Sequence, residues 1–241
     1  MLVVLFFGVF SLSTFASSQK PIALVYKGPG SCVEDCSEAS AHMAELAGFT
    51  AVYIGPDETN PNVFSNAKVY IQPGGNSWAV GVNMHPTLKR NLRTFIANGG
   101  GYVGFCAGAF YAADTIKNYP RMDLFRGNSV FYKWMPQSPI IEKMTWKGKT
   151  RHVYWEGGPY LQLYKGSGFE VIAKYSNGLP AAVQGAYGNG RVSVIGHHPE
   201  APQWWREDPF IADPDGLDYD IAIDMIHWAT RTGIYSLTQN L

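Results

Sequence analysis

A single cysteine stands between two glycines in the segment Gly104–Phe105–Cys106–Ala107–Gly108. The stretch from Gly99 to Ala112 predicts a short apolar strand, a sharp turn at the cysteine and a helix that begins with small residues. This spacing is that of a nucleophile elbow with Cys in place of Ser, in which a tight, strained turn excludes large neighbours. Taken alone, the motif fits a buried structural cysteine in a glycine-rich turn equally well.

A thiol nucleophile needs a base within hydrogen-bond reach, and the base needs a carboxylate to orient it. His198 and Glu200 flank a proline of fixed φ, so in extended chain both side chains project to the same side. We therefore predict a triad in which Cys106 is the nucleophile, His198 the base and Glu200 the orienting carboxylate. His197 is a rival base, but it faces the opposite side from Glu200.

Acyl transfer also needs donors for the developing oxyanion. The backbone N–H of Ala107, directly after the nucleophile, is one predicted donor. The other comes from Gly74 or Gly75 in a Pro-Gly-Gly loop, because glycine lets the backbone approach a substrate closely. The alternative for this loop is a plain turn after a strand.

The elements that position these residues alternate between strand and helix in the first half of the chain, which predicts an α/β fold with a parallel sheet and helices on both faces. The predicted helices are Val33–Ala47, Pro86–Ala97 and Asp218–Thr232. The predicted strands before the elbow are Pro21–Tyr26, Ala51–Ile54 and Lys68–Gln72. Further β segments are predicted at Asn128–Tyr132, Lys143–Trp155, Phe169–Tyr175, Ala181–Tyr187 and Arg191–Ile195.

Ligands bind beyond the carboxyl ends of strands in such sheets. The Gly28–Pro29–Gly30 loop, the Pro-Gly-Gly loop and Cys106 all follow predicted strands, so we expect them at one edge. The segment from Trp155 to Tyr160 is predicted to be a loop with an aromatic wall. The candidate substrate pocket is therefore assigned to Gly28, Gly30, Trp155, Glu156 and Tyr160.

The composition is that of a globular protein, with 46% hydrophobic and 16% charged residues and a formal net charge of zero. No basic run suited to nucleic acid or an anionic membrane is present. We find no internal repeat or long linker and predict one domain over residues 19–241. Neither a metal nor an organic cofactor is expected, and the oligomeric state is not predicted.

The first eighteen residues combine an apolar run, Met1–Phe10, with a stretch of small and polar residues. The run is too short for a finished transmembrane helix, so a removable signal peptide over residues 1–18 is predicted. Its departure from that pattern is the lack of Lys or Arg before Lys20. We expect an exported protein, periplasmic or secreted, with no membrane span after signal removal; the alternative is an uncleaved anchor.

The other two cysteines, Cys32 and Cys36, are four residues apart at a predicted helix start. This spacing is awkward for disulfide geometry, so a local bridge and two free thiols both stay open, with the bridge favoured in an exported protein. In either case Cys106 is left unpaired, as a reactive nucleophile must be.

The elbow, the Gln72–Gly75 loop and the late His198–Pro199–Glu200 segment resemble the class I glutamine amidotransferase-like superfamily. Within it, Val25–Gly30 together with Gly101–Ala109 is similar to the N-terminal amidotransferase-like domain of biotin–protein ligases and its stand-alone bacterial homologues. The resemblance implies a flavodoxin-like three-layer sandwich, with extra β-hairpin segments here, and a triad of Cys106, His198 and Glu200. It implies no defined reaction. Nothing resembles the ligase's catalytic domain, so biotinylation is not implied.

Three functions are compatible with these residues. The first is a cysteine hydrolase or amidase acting on a small amide or peptide-like substrate through a thioester. The second is a binding or sensing module in which the elbow is not catalytic and aromatics such as Trp204–Trp205 line a ligand pocket. The third is a glutamine amidotransferase subunit, which needs a partner that uses the released ammonia.

Overall fold

The structure is a computed structural model that describes residues 19–32, 35–133, 138–207 and 212–232. The predicted signal peptide lies outside these ranges, within which no helix is long and apolar enough to cross a bilayer. The described strands are β1 (Ile22–Tyr26), β2 (Thr50–Ile54), β3 (Ala67–Gln72), β4 (Gly101–Phe105), β5 (Gly127–Phe131), β6 (Ile140–Trp146), β7 (Lys149–Trp155), β8 (Pro159–Leu163), β9 (Phe169–Tyr175), β10 (Pro180–Tyr187) and β11 (Gly190–Ile195). The described helices are α1 (Cys36–Leu46), α2 (Ser77–Asn83), α3 (Pro86–Ala97), α4 (Ala107–Ala112) and α5 (Tyr219–Thr230), with short 3₁₀ helices at Pro61–Phe64 and Gln203–Arg206.

Nine strands form one continuous sheet in the order β2-β1-β3-β4-β11-β10-β9-β6-β7. The first five of these are parallel, and β4 lies between β3 and β11 with all its residues buried. The strand that precedes Cys106 is therefore central in the parallel part. Its carboxyl end meets those of β3 and β11, which carry the glycine loop and the histidines.

The remaining four strands of this sheet are antiparallel to their neighbours and extend it from β11 outward. Strands β5 and β8 pair separately as a two-stranded sheet. The hairpin segments predicted for the second half of the chain are thus an extension of the main sheet plus a small additional one.

Helices cover both faces of the sheet. One buried cluster contains residues of α1 and α5, and the other contains residues of α2, α3 and α4. The side chains of β4 alternate between them, since Val103 and Phe105 belong to the first cluster and Tyr102 to the second. The predicted α/β sandwich with a mainly parallel sheet and helices on both faces is confirmed.

Two elements differ from the sequence prediction. The sequence does not predict helix α2. Only two of its residues, Ser77 and Val80, are buried, so no apolar stripe marks it as a helix. The predicted aromatic loop up to Tyr160 is wrong in its second part, where β8 begins at Pro159 and pairs with β5. A proline is tolerated at the start of a strand, where its missing N–H costs little.

Candidate active site

Cys106 occupies the turn between β4 and α4 with φ 45° and ψ −98°, a left-handed backbone that is strained for a residue with a side chain. Its N–H donates to the Ile195 carbonyl over 2.9 Å, which fixes the turn against β11. A Cβ atom on Gly104 would lie 2.6 Å from the Gly108 backbone carbon, and one on Gly108 would lie 2.3 Å from the Gln72 oxygen. The two flanking glycines are therefore required by close backbone packing.

The Cys106 side chain opens into a cleft, although the residue is only 5% exposed. Its Sγ lies 3.5 Å from the backbone oxygen of Glu156, in the connection between β7 and β8. The Ala107 N–H donates to no backbone carbonyl of the described chain. It is thus free to serve an oxygen atom that develops charge next to the sulfur.

His198 and Glu200 follow β11 at the same edge, and both are buried. His198 Nδ1 lies 2.9 Å from Glu200 Oε1. Burial of the imidazole lowers its pKa, but the adjacent Cys106 sulfur and the Glu200 carboxylate outweigh this and hold the pKa of His198 well above its ordinary value. Edge-on rings of Tyr154 and Trp205, with centroids 5.9 and 5.6 Å away, restrict the imidazole further.

His197 has the opposite environment. It is fully buried in the core and stacks on Tyr175 at a centroid distance of 4.8 Å. Neither of its ring nitrogens has a hydrogen-bond partner in the described part of the chain. Burial, together with the positive charges of His198 and Lys133, lowers the pKa of His197 to about 3.

The Pro-Gly-Gly loop lies directly against the triad. A Cβ atom on Gly74 would lie 2.4 Å from His198 Cε1 and 3.2 Å from Cys36 Sγ, so only glycine fits between the imidazole and that sulfur. Gly75, with φ 127°, lines the cleft and forms a bridge with Ser31. Its N–H donates to no backbone carbonyl of the described residues, so Gly75 is the second candidate oxyanion donor.

Gly30 accepts the Asn76 N–H on its carbonyl over 2.6 Å and so supports this loop from below. It does not line the cleft, and neither does Gly28, which packs against Tyr26 and Pro56. The structure thus places both glycines outside the lining of this cleft, although the sequence assigns them to the substrate pocket. They shape the adjacent loop instead. Loops that follow strands at the same edge of a sheet do not all line the same cavity.

The cleft has a volume of about 650 Å³. Of the aromatic segment predicted to line it, Glu156 does, whereas Trp155 is buried in the core and Tyr160 does not reach it. The aromatic wall is made instead by residues from several elements, most of which sequence reasoning missed: Phe110, Tyr119, Phe131, Tyr154, Trp204 and Trp205. Of these six aromatic residues, the sequence indicates only Trp204 and Trp205 as pocket residues.

The turn that carries the two tryptophans is anchored by Arg206, whose guanidinium is buried. Arg206 donates to Asp213, to the Gly216 carbonyl and, over 3.0 Å, to the fully buried Asp218. Removing one partner of such a buried pair leaves an uncompensated charge. The anchor therefore fixes the indole of Trp205 beside His198.

Cys32 and Cys36 form a disulfide at the start of α1, and both line the cleft with Cys106, which is the free cysteine. The bridge alternative left open by the spacing is the one observed. Among the described residues, no group of three or more His, Cys, Asp or Glu side chains is placed to hold a metal ion.

Residues 22–122 match the family model described as biotin-protein ligase, N terminal. The biotin–protein ligase of Schizosaccharomyces pombe (strain 972 / ATCC 24843) is 23% identical over 163 residues, or 56% of this chain and 26% of that protein. The chain thus spans about a quarter of the length of this curated relative.

Solved structures share the fold. A structure described as a glutamine amidotransferase superposes with a TM-score of 0.58 at 20% identity, covering 73% of this chain and 90% of its own. PurLQS from Thermotoga maritima gives 0.60 at 19% identity, covering 85% and 98%. These identities establish the fold alone, and with the ligase match they confirm the resemblance that the motifs indicated.

Proposed function

Starting from a chain with the class I glutamine amidotransferase-like fold and a segment that matches the N-terminal domain of biotin–protein ligases, we propose that it is a cysteine-dependent hydrolase of small amides or peptide-like substrates. The observation that carries this proposal is the position of His198, between the sulfur of Cys106 and the carboxylate of Glu200 at the base of one open cleft. A nucleophile, a base and an orienting carboxylate in that sequence of contacts are what acyl transfer through a thioester requires.

In the first step, His198 holds the proton of Cys106 and the sulfur attacks the scissile carbonyl carbon. A carbon–sulfur bond forms, and the carbonyl electrons move onto oxygen. The N–H groups of Ala107 and Gly75 donate to this oxyanion, for which they are preorganised by the elbow and by the glycine loop. The raised pKa of His198 favours the imidazolium that this step produces.

In the second step, the His198 imidazolium gives its proton to the leaving nitrogen, the carbon–nitrogen bond breaks and a thioester remains on Cys106. Neutral His198 then takes a proton from water, and the resulting hydroxide attacks the thioester carbonyl. The acid departs, and the sulfur is restored. Glu200 keeps the imidazole in one tautomer and stabilises its charged form throughout.

The test is hydrolysis of a panel of p-nitrophenyl esters and aminomethylcoumarin amides by the purified protein and by Cys106→Ala and Cys106→Ser. We expect turnover by the wild type and a loss of about 10⁵-fold or more in both variants, as for removal of other catalytic nucleophiles. Equal thermal unfolding of the three proteins controls for folding. Turnover that survives in Cys106→Ala would refute the proposal.

A non-catalytic binding module is the second candidate, and the aromatic wall of the cleft is the observation that favours it. This reading predicts that Cys106 fails to react with iodoacetamide in the folded protein and that no ester of the panel is turned over. Alkylation of Cys106 in the native state, mapped by peptide mass, would exclude it.

A further inference from the structure

The cleft beside Cys106 carries two carboxylates without a cationic partner. Asp35 and Glu156 both line it and are exposed, and neither has an ion pair with a Lys or Arg of the described residues. Asp35 stands at the N-cap of α1 yet makes no side-chain capping bond. The Glu156 carboxylate accepts one hydrogen bond, from the hydroxyl of Tyr154 over 3.2 Å, and Tyr154 also lines the cleft.

No Lys or Arg lines this cleft. The statement covers the whole chain, since every Lys and Arg in the sequence falls within the described residues. Two guanidinium groups adjoin residues of the aromatic wall, Arg206 next to Trp205 in the chain and Arg121 against the Tyr119 ring, but neither lines the cleft. Arg206 is paired with Asp213 and Asp218, and Arg121 donates to Asn128 beneath the Tyr119 ring.

The other charged groups at the base of the cleft leave its net charge negative. The His198 imidazolium is balanced by Glu200, and transfer of the Cys106 proton to His198 leaves a negative sulfur. Next to these charges the aromatic wall presents the Trp204 ring, which is 55% exposed, and its neighbour Trp205 in an edge-on contact. Trp205 is half-buried, and both indoles line the same cleft as the two carboxylates. Aromatic faces combined with carboxylates in one site are what proteins use to bind organic cations.

We propose that the cleft selects substrates that carry an amine or guanidine near the scissile bond, seated between Asp35, Glu156 and the two indoles. This inference rests on the proposed hydrolase function and names its substrate class. It also disfavours free glutamine and other substrates with a carboxylate, because no Lys or Arg lines the cleft to receive that group and the His198 imidazolium is already paired with Glu200.

The test uses Cys106 as a reporter of cleft charge, independently of turnover. Two methanethiosulfonates of similar size, one ending in trimethylammonium and one in sulfonate, each transfer their thioalkyl group to the Cys106 sulfur and release methanesulfinate. The ratio of their rate constants, cation over anion, is divided by the same ratio for 2-mercaptoethanol. Intact mass and peptide mapping confirm modification of Cys106.

We expect this normalised ratio to exceed about tenfold at low salt and to fall towards one in 1 M NaCl, where the Debye length is only about 3 Å. Glu156→Gln and Asp35→Asn should each reduce it about 1.4- to 5-fold, the range for one exposed charge pair. Glu45→Gln is the matched control, since Glu45 is exposed on the last turn of α1 and does not line the cleft. It should leave the ratio unchanged.

A second arm compares aminomethylcoumarin amides of Nα-acetylated lysine, glutamine and glutamate in the same assay, so that the three substrates differ only in the side chain. The proposal predicts the highest kcat/KM for the lysyl amide and the lowest for the glutamyl amide. A normalised labelling ratio of one or below would overturn the charge selection even if hydrolysis is observed. A high ratio with no turnover of any amide or ester would instead leave the charge selection standing and refute the hydrolase.

Discussion

The two adjacent histidines at the end of β11 lie in opposite environments. His198 faces the cleft, contacts a carboxylate and lies beside a nucleophilic sulfur, while His197 is stacked on Tyr175 in the core with both ring nitrogens unpartnered. The pKa of the first is held high and that of the second is lowered to about 3. One peptide unit therefore separates an imidazole whose environment favours the charged form from one whose environment favours the neutral form.

The difference arises just after β11 ends, where the chain forms a bend and a turn instead of the extended segment that the sequence predicts. The Ala201 N–H donates to the His198 carbonyl over 3.1 Å, and this turn brings the Glu200 carboxylate within 2.9 Å of His198 Nδ1 while His197 packs into the core. The comparison therefore predicts that catalytic activity depends on His198 and that the stability of the fold at acid pH depends on His197.

The substitution His198→Gln should have the largest effect, which is a loss of catalytic activity. Loss of the base and acid should lower kcat/KM for the best ester or amide of the panel by about 10³- to 10⁴-fold. His197→Phe keeps an aromatic ring against Tyr175 and touches no reacting group. Its kcat/KM should therefore stay within about threefold of the wild-type value. Steady-state kinetics measures both values. An equal loss of kcat/KM in the two variants would contradict the assignment of different roles to His198 and His197.

Glu200→Gln should have the next largest effect. The amide can still contact His198 Nδ1, but it no longer stabilises the imidazolium or enforces its tautomer, so we expect a fall of about 10²-fold in kcat with KM little changed. The pKa of His198 should also fall, because one of the charges that raise it is removed. An NMR titration of the imidazole measures this, and an unchanged pKa would contradict the pairing.

Gly74→Ala tests the space around His198. Its Cβ would lie 2.4 Å from Cε1, so the imidazole must move, and a shift of about 1 Å costs up to roughly 10²-fold in rate. Gly55→Ala is the matched control, since no atom lies within 4 Å of its added Cβ. Kinetics of the two variants that match each other would show that the loop does not position the base.

The smallest effect concerns stability towards acid. An unfolded histidine has a pKa near 6.5 and folded His197 one of about 3, so between these values the unfolded chain binds the extra proton. The contribution of neutral His197 is complete above about pH 6.5 and is lost as the pH falls towards 3. His197→Phe should therefore lose less Tm than the wild type between pH 7 and pH 4.5 in matched thermal scans. Parallel losses would argue against a buried neutral imidazole.

Much of the fold could be predicted from the sequence because its local signals agree. Pro86–Ala97 and Phe169–Tyr175 have the predicted bounds, since a proline at the first helical turn and alternating β-formers mark them. Helix α2 lacked that agreement. Its one available signal was Asn76, whose side chain accepts the Ala79 N–H as an N-cap.

The closeness of Cys106, His198 and Glu200 could be predicted for a related reason, since the cysteine and the His198–Glu200 pair each follow a predicted strand and parallel strands bring such ends together. The residues that form the walls of the cleft could not be predicted in this way. Whether Trp155 points into the core or Tyr154 into the cleft depends on the register of β7 at the far side of the sheet, and the disulfide on how Cys32 meets α1. Those contacts are tertiary and leave no local pattern.

The most direct test of the triad is intact-mass analysis of the protein within the first turnovers of p-nitrophenyl acetate. The account predicts a single acetyl adduct mapped to Cys106, transient in the wild type, longer-lived in His198→Gln and absent in Cys106→Ala. Release of p-nitrophenol with no adduct on Cys106, or with the adduct on another residue, would contradict it.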